Sequence, residues 1–349
     1  MFSSNSSQLS GKGPEYLAFP DATSPYIEVY PWSASGFGTK YTNPGTLPSS
    51  SGNGTAFTPS GNAVAVAHDA VENISAYPWS AAGFGTKYSN APSDPPDDAF
   101  DCDFSPNGDA IAVVHRLVSP FIGAWRWSSS GFGTKYSDPS TVPTVGNTSL
   151  SVSFSPSGAA LAFAMNGSPF IHAYAWTYAS GFGTKYSAPG SSQQSLGKGA
   201  AFTPSGNAFA ACAATSPYVQ VYPWSDSTGF GTRYSDPASP PTGTGKGVAF
   251  SPTGDVIAIA HETTPFITAY RWSGSGFGSK YSDPATTPGG GGRGLAFSRN
   301  GDAIAVAANS STPLVAYPWS YSSGFGTKFS NPTTQPGNAS DNGGSLSFF

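Results

Sequence analysis

The chain has 349 residues, of which only 10% are charged, and its formal net charge is -4 at pH 7. It contains no run of basic residues and no apolar stretch near the roughly 20 residues of a membrane span, which argues against nucleic-acid binding and membrane insertion. The two cysteines, Cys102 and Cys212, lie at non-equivalent positions and argue against a disulfide framework, while 14% aromatic residues favour a folded, turn-rich β protein.

One phrase, Gly-Phe-Gly-Thr-Lys-Tyr, recurs with small changes along the chain. Its seven copies begin at Gly36, Gly83, Gly131, Gly181, Gly229, Gly276 and Gly324. A nearly constant spacing of 47 to 50 residues indicates a repeat architecture. Seven similar copies also favour a scaffold over an enzyme, because catalysis usually needs one asymmetric group of residues.

The first copy of the repeat lacks a strand that the later copies have. It contains predicted strands at 15–19, 26–32 and 37–41, which correspond to the second, third and fourth strands of a complete repeat. The missing first strand is predicted at 344–348, at the other end of the chain. We therefore expect the two ends to form one shared blade, built from about 15–44 plus 344–349, that closes a ring.

The repeat that begins near residue 245 represents the complete copies. A short apolar segment at 247–250 leads through a Ser-Pro-Thr-Gly-Asp turn to a β-branched segment at 256–260. An alternating strand at 266–272 and a fourth strand at 277–281 follow. Four short antiparallel strands per repeat predict an all-β fold, a single seven-bladed β-propeller of four-stranded blades over 11–349, preceded by a flexible polar tail at 1–10.

Several of these features carry a resemblance to known families. The strand order, the Phe-Ser-Pro-x-Gly-Asp turns at 104–109 and 250–255, and the third-strand tryptophan resemble the WD-repeat propeller. The residue after that tryptophan is Ser or Thr, however, and the Gly-His pair is absent. The combination of Tyr-Pro-Trp-Ser, Ser-Gly-Phe-Gly-Thr-Lys-Tyr and Asn/Asp-Pro resembles repeat proteins encoded by tailed bacteriophages. That second resemblance implies a location in the virion.

The candidate binding surface is one face of the predicted ring. There the connections from fourth to first strands and from second to third strands emerge together, and variable loops on a rigid frame are common binding sites. Its candidate binding residues are Tyr26, Phe121, Phe170, Tyr218 and Phe266, with the histidines His68, His115 and His261, which share a repeat position. Adjacent blades hold these histidines too far apart for one ion, so no metal site is predicted.

Two further groups of residues have structural and functional interpretations. Seven cations share one position of the fourth strand: Lys40, Lys87, Lys135, Lys185, Arg233, Lys280 and Lys328. Protection of the blade edges against aggregation is the favoured interpretation, and an anion-binding ring is the alternative. Asp101, Cys102 and Asp103 lie in a first strand near the predicted axis, where the carboxylates line a channel or hold a cation. No base is identified beside Cys102.

The sequence thus predicts a non-enzymatic protein with no catalytic residues and no cofactor. The leading hypothesis is a virion-associated decoration or adhesion module of a tailed phage, which binds other virion proteins or a host-surface glycan or protein. The alternatives are a multivalent carbohydrate-binding lectin and a WD-repeat-type interaction scaffold. The expected location is the virion, with the bacterial cytoplasm or cell surface as the alternative. The oligomeric state is left open.

Overall fold

The computed structural model describes residues 15–143, 148–190, 196–341 and 344–349, so the tail expected at 1–10 lies outside the described residues. Within these ranges the chain forms strands β1 to β28 and no helix. In chain order, the first fifteen are β1 Glu15–Pro20, β2 Ile27–Ser33, β3 Gly36–Phe37, β4 Gly52–Phe57, β5 Ala63–His68, β6 Ile74–Ser80, β7 Gly83–Phe84, β8 Ala99–Phe104, β9 Ala110–His115, β10 Ile122–Ser128, β11 Gly131–Lys135, β12 Ser149–Phe154, β13 Ala160–Met165, β14 Ile171–Thr177 and β15 Gly181–Lys185. The others are β16 Leu196–Phe202, β17 Ala208–Ala213, β18 Val219–Ser225, β19 Gly229–Phe230, β20 Gly245–Phe250, β21 Val256–His261, β22 Ile267–Ser273, β23 Gly276–Lys280, β24 Gly291–Phe297, β25 Ala303–Asn309, β26 Leu314–Ser320, β27 Gly324–Phe325 and β28 Ser347–Phe348.

The strands of the described chain form seven four-stranded antiparallel sheets. Blade 1 has the order β28-β1-β2-β3, and blades 2 to 7 each take four consecutive strands from β4–β7 to β24–β27. The first strands of neighbouring blades pack against one another around the axis, and the fourth strands form the outer edges. The predicted seven-bladed β-propeller is therefore confirmed. No helix in the described ranges is long and apolar enough to cross a membrane.

The ring closes by pairing between the two ends of the described chain. β28 runs antiparallel to β1, with Leu17 opposite Phe348 and Ala18 opposite Ser347. The backbones of Tyr16 and Phe349 exchange two hydrogen bonds of 2.7 and 2.9 Å. The first strand missing from the N-terminal repeat is thus supplied by the C-terminal segment, as the sequence predicts.

The repeated phrase forms the aromatic core between blades. Trp272 lies 5.5 Å from Phe250 of its own first strand, 5.2 Å from Phe277 of its own phrase and 5.1 Å from Tyr234 of the preceding blade's phrase, measured between ring centroids. The six tryptophans at the same position of the other third strands have the same three kinds of aromatic neighbour. Gly276 begins the phrase with φ of 103°, and a Cβ there would lie 3.1 Å from the Tyr234 ring. The phrase is therefore a packing element, because its Phe and Tyr cover two successive tryptophans.

The fourth strands differ in length from blade to blade, unlike the uniform prediction. β11, β15 and β23 have five residues, whereas β3, β7, β19 and β27 have two. In the four short cases, the residue before the third-strand tryptophan is a proline: Pro31, Pro78, Pro223 and Pro318. The three long cases have Arg126, Ala175 and Arg271 there. Proline has no N–H to donate to the next strand, so the ladder ends early.

The seven repeated cations lie at these outer edges, where the sequence places them. Lys135, Arg233 and Lys280 form ion pairs with the Asp three residues later, at 3.0, 2.8 and 2.7 Å. Lys40 instead pairs with Glu28 at 3.0 Å and bonds to Asn43 at 2.7 Å. These local partners fit the edge-protection interpretation, which stays a prediction about solubility.

Candidate functional site

The loops expected to share one face of the ring do so, and this surface is called the loop face below. Asp69, in the connection from β5 to β6, donates its backbone N–H to Ser51 in the connection from β3 to β4, at 3.0 Å. Asp21, in the connection from β1 to β2, accepts backbone hydrogen bonds from Gly337 and Asn338 in the connection after β27. The first strands begin at this face, so their initial residues surround the channel entrance.

A break in strand register sets which side chains surround that entrance. In blade 6, Gly245 pairs with His261 and Gly247 with Ala260, so Lys246 is an extra, bulged residue. Arg293 has the same place in blade 7, and Lys198 lies within a longer irregularity in blade 5. Asn53 and Phe100 occupy the bulge in blades 2 and 3. A β-bulge changes the direction of the side chain at the extra residue. In three consecutive blades, the irregularity points a cation at the channel.

The glycines after these cations let the first strands approach closely around the axis. A Cβ at Gly199 would lie 2.7 Å from the Gly247 Cα, and a Cβ at Gly247 would lie 2.8 Å from the Gly294 Cα. A Cβ at Gly294 would lie 1.9 Å from the Gly344 carbonyl oxygen. Only glycine fits such backbone contacts. The Gly-Lys-Gly and Gly-Arg-Gly sequences therefore combine close strand packing with a charged group at the channel wall.

The three cations share two acidic partners on the loop face. Glu262 pairs with Lys246 at 2.8 Å and with Arg293 at 3.0 Å, and Arg293 also reaches Asp341 at 2.5 Å. Lys198 Nζ donates to the backbone oxygen of Asp341. Burial alone would raise the pKa of Glu262, but Lys246 and Arg293 outweigh it and hold that pKa below its usual range. The cluster therefore contains three cations but only two acidic residues.

The surroundings of Lys198 disfavour the charged form of its side chain. Burial, with the nearby charges of Lys246 and Arg293, lowers the pKa of its ammonium to about 8. The described residues offer it no carboxylate within ion-pair distance. Arg293 Nε is also buried and has no hydrogen-bond partner among the described residues. Lys198 therefore has capacity for a further anionic or polar partner.

The opposite wall of the channel is acidic. Asp101 Oδ2 accepts hydrogen bonds from Ser151 Oγ at 2.9 Å and from the Val152 N–H at 3.2 Å, and Asp103 Oδ2 accepts one from the Phe154 N–H at 2.8 Å. Burial raises the pKa of Asp101 to about 6 despite these donors. Burial, with the neighbouring Asp101, raises the pKa of Asp103 to about 7. Both carboxyl groups thus change charge near neutral pH.

The two walls enclose one cavity of about 300 Å³, lined by residues of all seven blades. Besides the cations and carboxyl groups, its wall carries the hydroxyl groups of Thr55, Ser151, Ser153, Ser345 and Ser347. This chemistry suits a small ligand with an anionic group at one end and hydroxyl groups along its length. The carboxyl groups can also take or give a proton near neutral pH.

The predicted binding aromatics lie on the loop face, away from this cavity. Tyr26, Phe121, Phe170, Tyr218 and Phe266 follow cis Ser-Pro or Thr-Pro bonds in the connections between second and third strands. Phe121 is buried and the other four are half-buried. None of the five is among the residues that line the channel cavity. A binding role for them stays a prediction.

The predicted histidines lie at the ends of second strands and are almost fully buried. His68 is bonded through Nε2 to Ser75 Oγ and through Nδ1 to the Asp69 carbonyl, both at 2.9 Å. His261 Nε2 is bonded to Thr268 Oγ1 at 2.9 Å, and burial lowers the pKa of His115 and His261 to about 4. Their rings support the loops from inside, and a binding role for them also stays a prediction.

The sequence reasoning found part of the channel and missed the rest. It placed Asp101 and Asp103 near the axis, where the structure has them. It overlooked Lys198, Lys246 and Arg293, although a cation between two glycines before the first-strand segment recurs in three successive repeats. That recurrence was an available signal. In the described ranges, no group of His, Cys, Asp or Glu has the arrangement of a metal site.

Fold and channel together define a seven-bladed β-propeller with a polar, charged central cavity. No protein-family model matches the sequence, and comparison with curated proteins finds no match. A candidate 6-phosphogluconolactonase from Bacteroides fragilis superposes with a TM-score of 0.74 at 12% identity, covering 97% of this chain and 99% of its own. The periplasmic gluconolactonase of Pseudomonas aeruginosa gives 0.70 at 15% identity, over 96% and 99% of the two chains. A protein from Lactobacillus plantarum gives 0.72 at 13% identity, over 97% and 100%.

The neighbouring proteins share the fold of this chain, and their names correct the functional expectation. The neighbours from Bacteroides fragilis and Pseudomonas aeruginosa carry lactonase names, and neither is a phage repeat protein. The prediction of a virion decoration or adhesion module, with its lectin and WD-scaffold alternatives, is therefore wrong. The repeated phrase misled because it encodes interblade packing, which carries no information about a ligand. The expected partners and location stay predictions.

Proposed function

We propose that the protein binds a small anionic sugar derivative in its central channel and opens sugar lactones by hydrolysis. The observation that carries this proposal is one cavity holding three clustered cations on blades 5 to 7 and two carboxyl groups on blade 3. The names of the neighbours add the substrate class, a gluconolactone with or without a phosphate. The feature that favours an enzyme over a simple binding protein is the carboxyl pair, whose pKa values of about 6 and 7 suit proton transfer.

Each side chain has a defined part in this reaction. Lys246 and Arg293 bind the phosphate or carboxylate of the ligand, and the hydroxyl groups of the wall bind the sugar hydroxyls. Ionised Asp103 takes a proton from a water molecule, whose oxygen adds to the lactone carbonyl carbon. The bond from that carbon to the ring oxygen then breaks, and the ring oxygen takes up the proton held by Asp103, which is ionised again. The product is an open-chain sugar acid.

Binding is tested by calorimetry with 6-phosphogluconate, gluconate and glucose on wild type and on the double variant Lys246→Gln, Arg293→Gln. We expect 6-phosphogluconate to bind most tightly, gluconate less tightly and glucose most weakly. The double variant should lose at least about 100-fold in affinity for 6-phosphogluconate, because charge-assisted bonds contribute about 1.5–3 kcal/mol each. The control Lys135→Gln, Lys280→Gln removes two positive charges from blade edges instead and should bind as wild type does. Equal binding by the two variants would contradict the proposal.

Hydrolysis is tested by following acid release from gluconolactone and its 6-phosphate, with the spontaneous reaction subtracted. We expect a rate that rises as pH passes through about 7, the pKa of Asp103. Asp103→Asn should slow turnover by about 100-fold or more while leaving 6-phosphogluconate binding in place. Tight binding without any hydrolysis would reduce the proposal to a binding protein.

A further inference from the structure

The channel contains an amine in the setting that makes lysines nucleophilic. Lys198 lies beside two other cations, on the wall of a cavity large enough for a small sugar. Its Nζ is positioned by a hydrogen bond to the Asp341 backbone oxygen, which is neutral and does not stabilise the ammonium as a carboxylate would. Partial burial, with the nearby charges of Lys246 and Arg293, favours the uncharged amine, and the charges of Asp341 and Glu262 offset this only in part. The uncharged amine is the form that attacks carbonyl groups.

Its neighbour Lys246 is in a different setting. Lys246 is paired with the Glu262 carboxylate at 2.8 Å, a partner that Lys198 lacks within the described ranges. Arg293 is permanently charged, and its guanidinium is paired with Glu262 and Asp341. The cluster therefore divides into one candidate nucleophile and two fixed anion-binding groups.

We propose that Lys198 forms an imine with the aldehyde carbonyl of a phosphorylated open-chain sugar whose phosphate is bound by Lys246 and Arg293. This inference rests on the anion binding in the proposed function and extends its ligand class from lactones to aldehydes. The lone pair of Nζ adds to the carbonyl carbon, and the carbonyl oxygen takes up a proton to give a carbinolamine. The nitrogen loses its protons, the hydroxyl group leaves as water, and a carbon–nitrogen double bond remains. Amine and aldehyde are thus converted to imine and water, with no oxidant or reductant.

The low pKa of the Lys198 ammonium, about 8, supports this assignment. At pH 8, about half of this side chain is uncharged, whereas an ordinary lysine with a pKa near 10.4 is uncharged to less than about 1%. A lower pKa also makes an amine a weaker nucleophile, so the net advantage in rate is smaller than the ratio of these fractions. We expect Lys198 to react about tenfold faster than an exposed lysine.

The probe for this reaction is pyridoxal 5′-phosphate, which carries both an aldehyde and a phosphate. The wild-type protein is treated at pH 8, the imine is reduced with borohydride, and modified lysines are identified by peptide mass mapping. We expect Lys198 to be modified first, about tenfold faster than Lys135 and Lys280 on the blade edges. Pyridoxal without the phosphate should react with Lys198 more slowly, because it lacks the group that Lys246 and Arg293 bind, and 6-phosphogluconate should protect Lys198.

The variant Lys198→Arg should show no fast modification, whereas Lys135→Arg should react as wild type does. Modification spread evenly over surface lysines, or concentrated on Lys246, would overturn the assignment. If 6-phosphogluconate binds but Lys198 stays unmodified, the imine inference fails and the proposed function stands. If neither 6-phosphogluconate nor the probe binds, both fail together.

Discussion

The channel acids and the buried histidines of this protein respond to pH in opposite directions. Burial raises the pKa of Asp101 to about 6 and that of Asp103 to about 7, while it lowers the pKa of His115 and His261 to about 4. The stability that the carboxyl groups contribute is therefore full below the unfolded value of about 3.9 and is lost as pH rises through 6 and 7. The contribution of the histidines is present above about 6.5 and is lost as pH falls toward 4.

A substitution of Asp103 by Asn should make this linkage visible. Asparagine keeps an oxygen to accept the Phe154 N–H but cannot ionise. Between pH 4 and pH 8, we expect the variant to gain about 2 kcal/mol of stability relative to wild type, less than the roughly 4 kcal/mol that the raised pKa implies, because Asp103 is only half-buried. Urea unfolding at several pH values measures this difference. Because the histidine contribution is common to both proteins, parallel pH curves would contradict the pKa assigned to Asp103.

Residue-level prediction from sequence worked best where one environment is repeated. Phe250 and Trp272 have counterparts at the same positions of the other repeats, and both are buried in the interblade core. The channel cations were harder to find, because the side on which Lys246 projects depends on a bulge. A register shift of one residue reverses the side on which a strand residue projects, and nothing local in Gly-Lys-Gly specifies that shift.

At the scale of elements, the length of each edge strand depends on one residue. Where the third strand has proline before its tryptophan, the edge strand stops after two residues, and elsewhere it continues to the repeated lysine. The prolines are visible in the sequence, yet the prediction gave every blade the same fourth strand. A prediction based on one representative repeat does not consider whether each third strand has a backbone N–H to donate to its fourth strand.

Exchanging these residues between neighbouring blades should exchange the strand lengths. Pro223→Ala supplies the missing N–H in blade 5, so we expect β19 to lengthen toward Arg233 and its amides to exchange more slowly with solvent. Ala175→Pro in blade 4 should shorten β15 and speed exchange there. The fold should persist in both variants, because the equivalent position of other blades already holds the introduced residue. Hydrogen exchange followed by mass spectrometry measures both effects, and unchanged protection would contradict the explanation.

For the whole molecule, the short strand β28 closes the ring. It covers the inner edge of β1, and Phe348 and Phe349 contact the rings of Trp32 and Phe57. The repeat period and the complementary chain ends are sufficient to predict this arrangement from sequence. The ligand could not be predicted in the same way, because it depends on residues in which the repeats differ, and each of those occurs only once or a few times.

Removal of residues 344–349 should destabilise the entire ring. The truncated chain loses the innermost strand of blade 1 and two aromatic side chains, and loss of one large core aromatic alone costs about 3–5 kcal/mol. We expect a much lower melting temperature, together with association through the exposed edge of β1. Light scattering during a thermal melt measures both effects. A monomer with unchanged melting temperature would show that β28 does not hold the ring closed.

The matched control moves the break in the chain and deletes no strand. A circular permutant joins 349 to 15 through a short Gly-Ser linker and begins at Gly274, in the exposed turn between β22 and β23. It keeps all seven sheets, so we expect it to melt close to wild type. Severe destabilisation of the permutant would mean that chain connectivity matters more than the pairing of β28 with β1.

The pairing of β28 with β1 also has a consequence for how the protein is made. During synthesis, blades 2 to 7 can each form once their own four strands have left the ribosome, whereas β1, emerging early, lacks its inner partner until residues 347–348 appear. For most of translation, β1 therefore presents an open strand edge to the growing chain and to its neighbours. Any product that ends prematurely keeps that edge. The presence of β28 thus distinguishes a chain that can close the ring from one that cannot, and chaperones or proteases can recognise the difference.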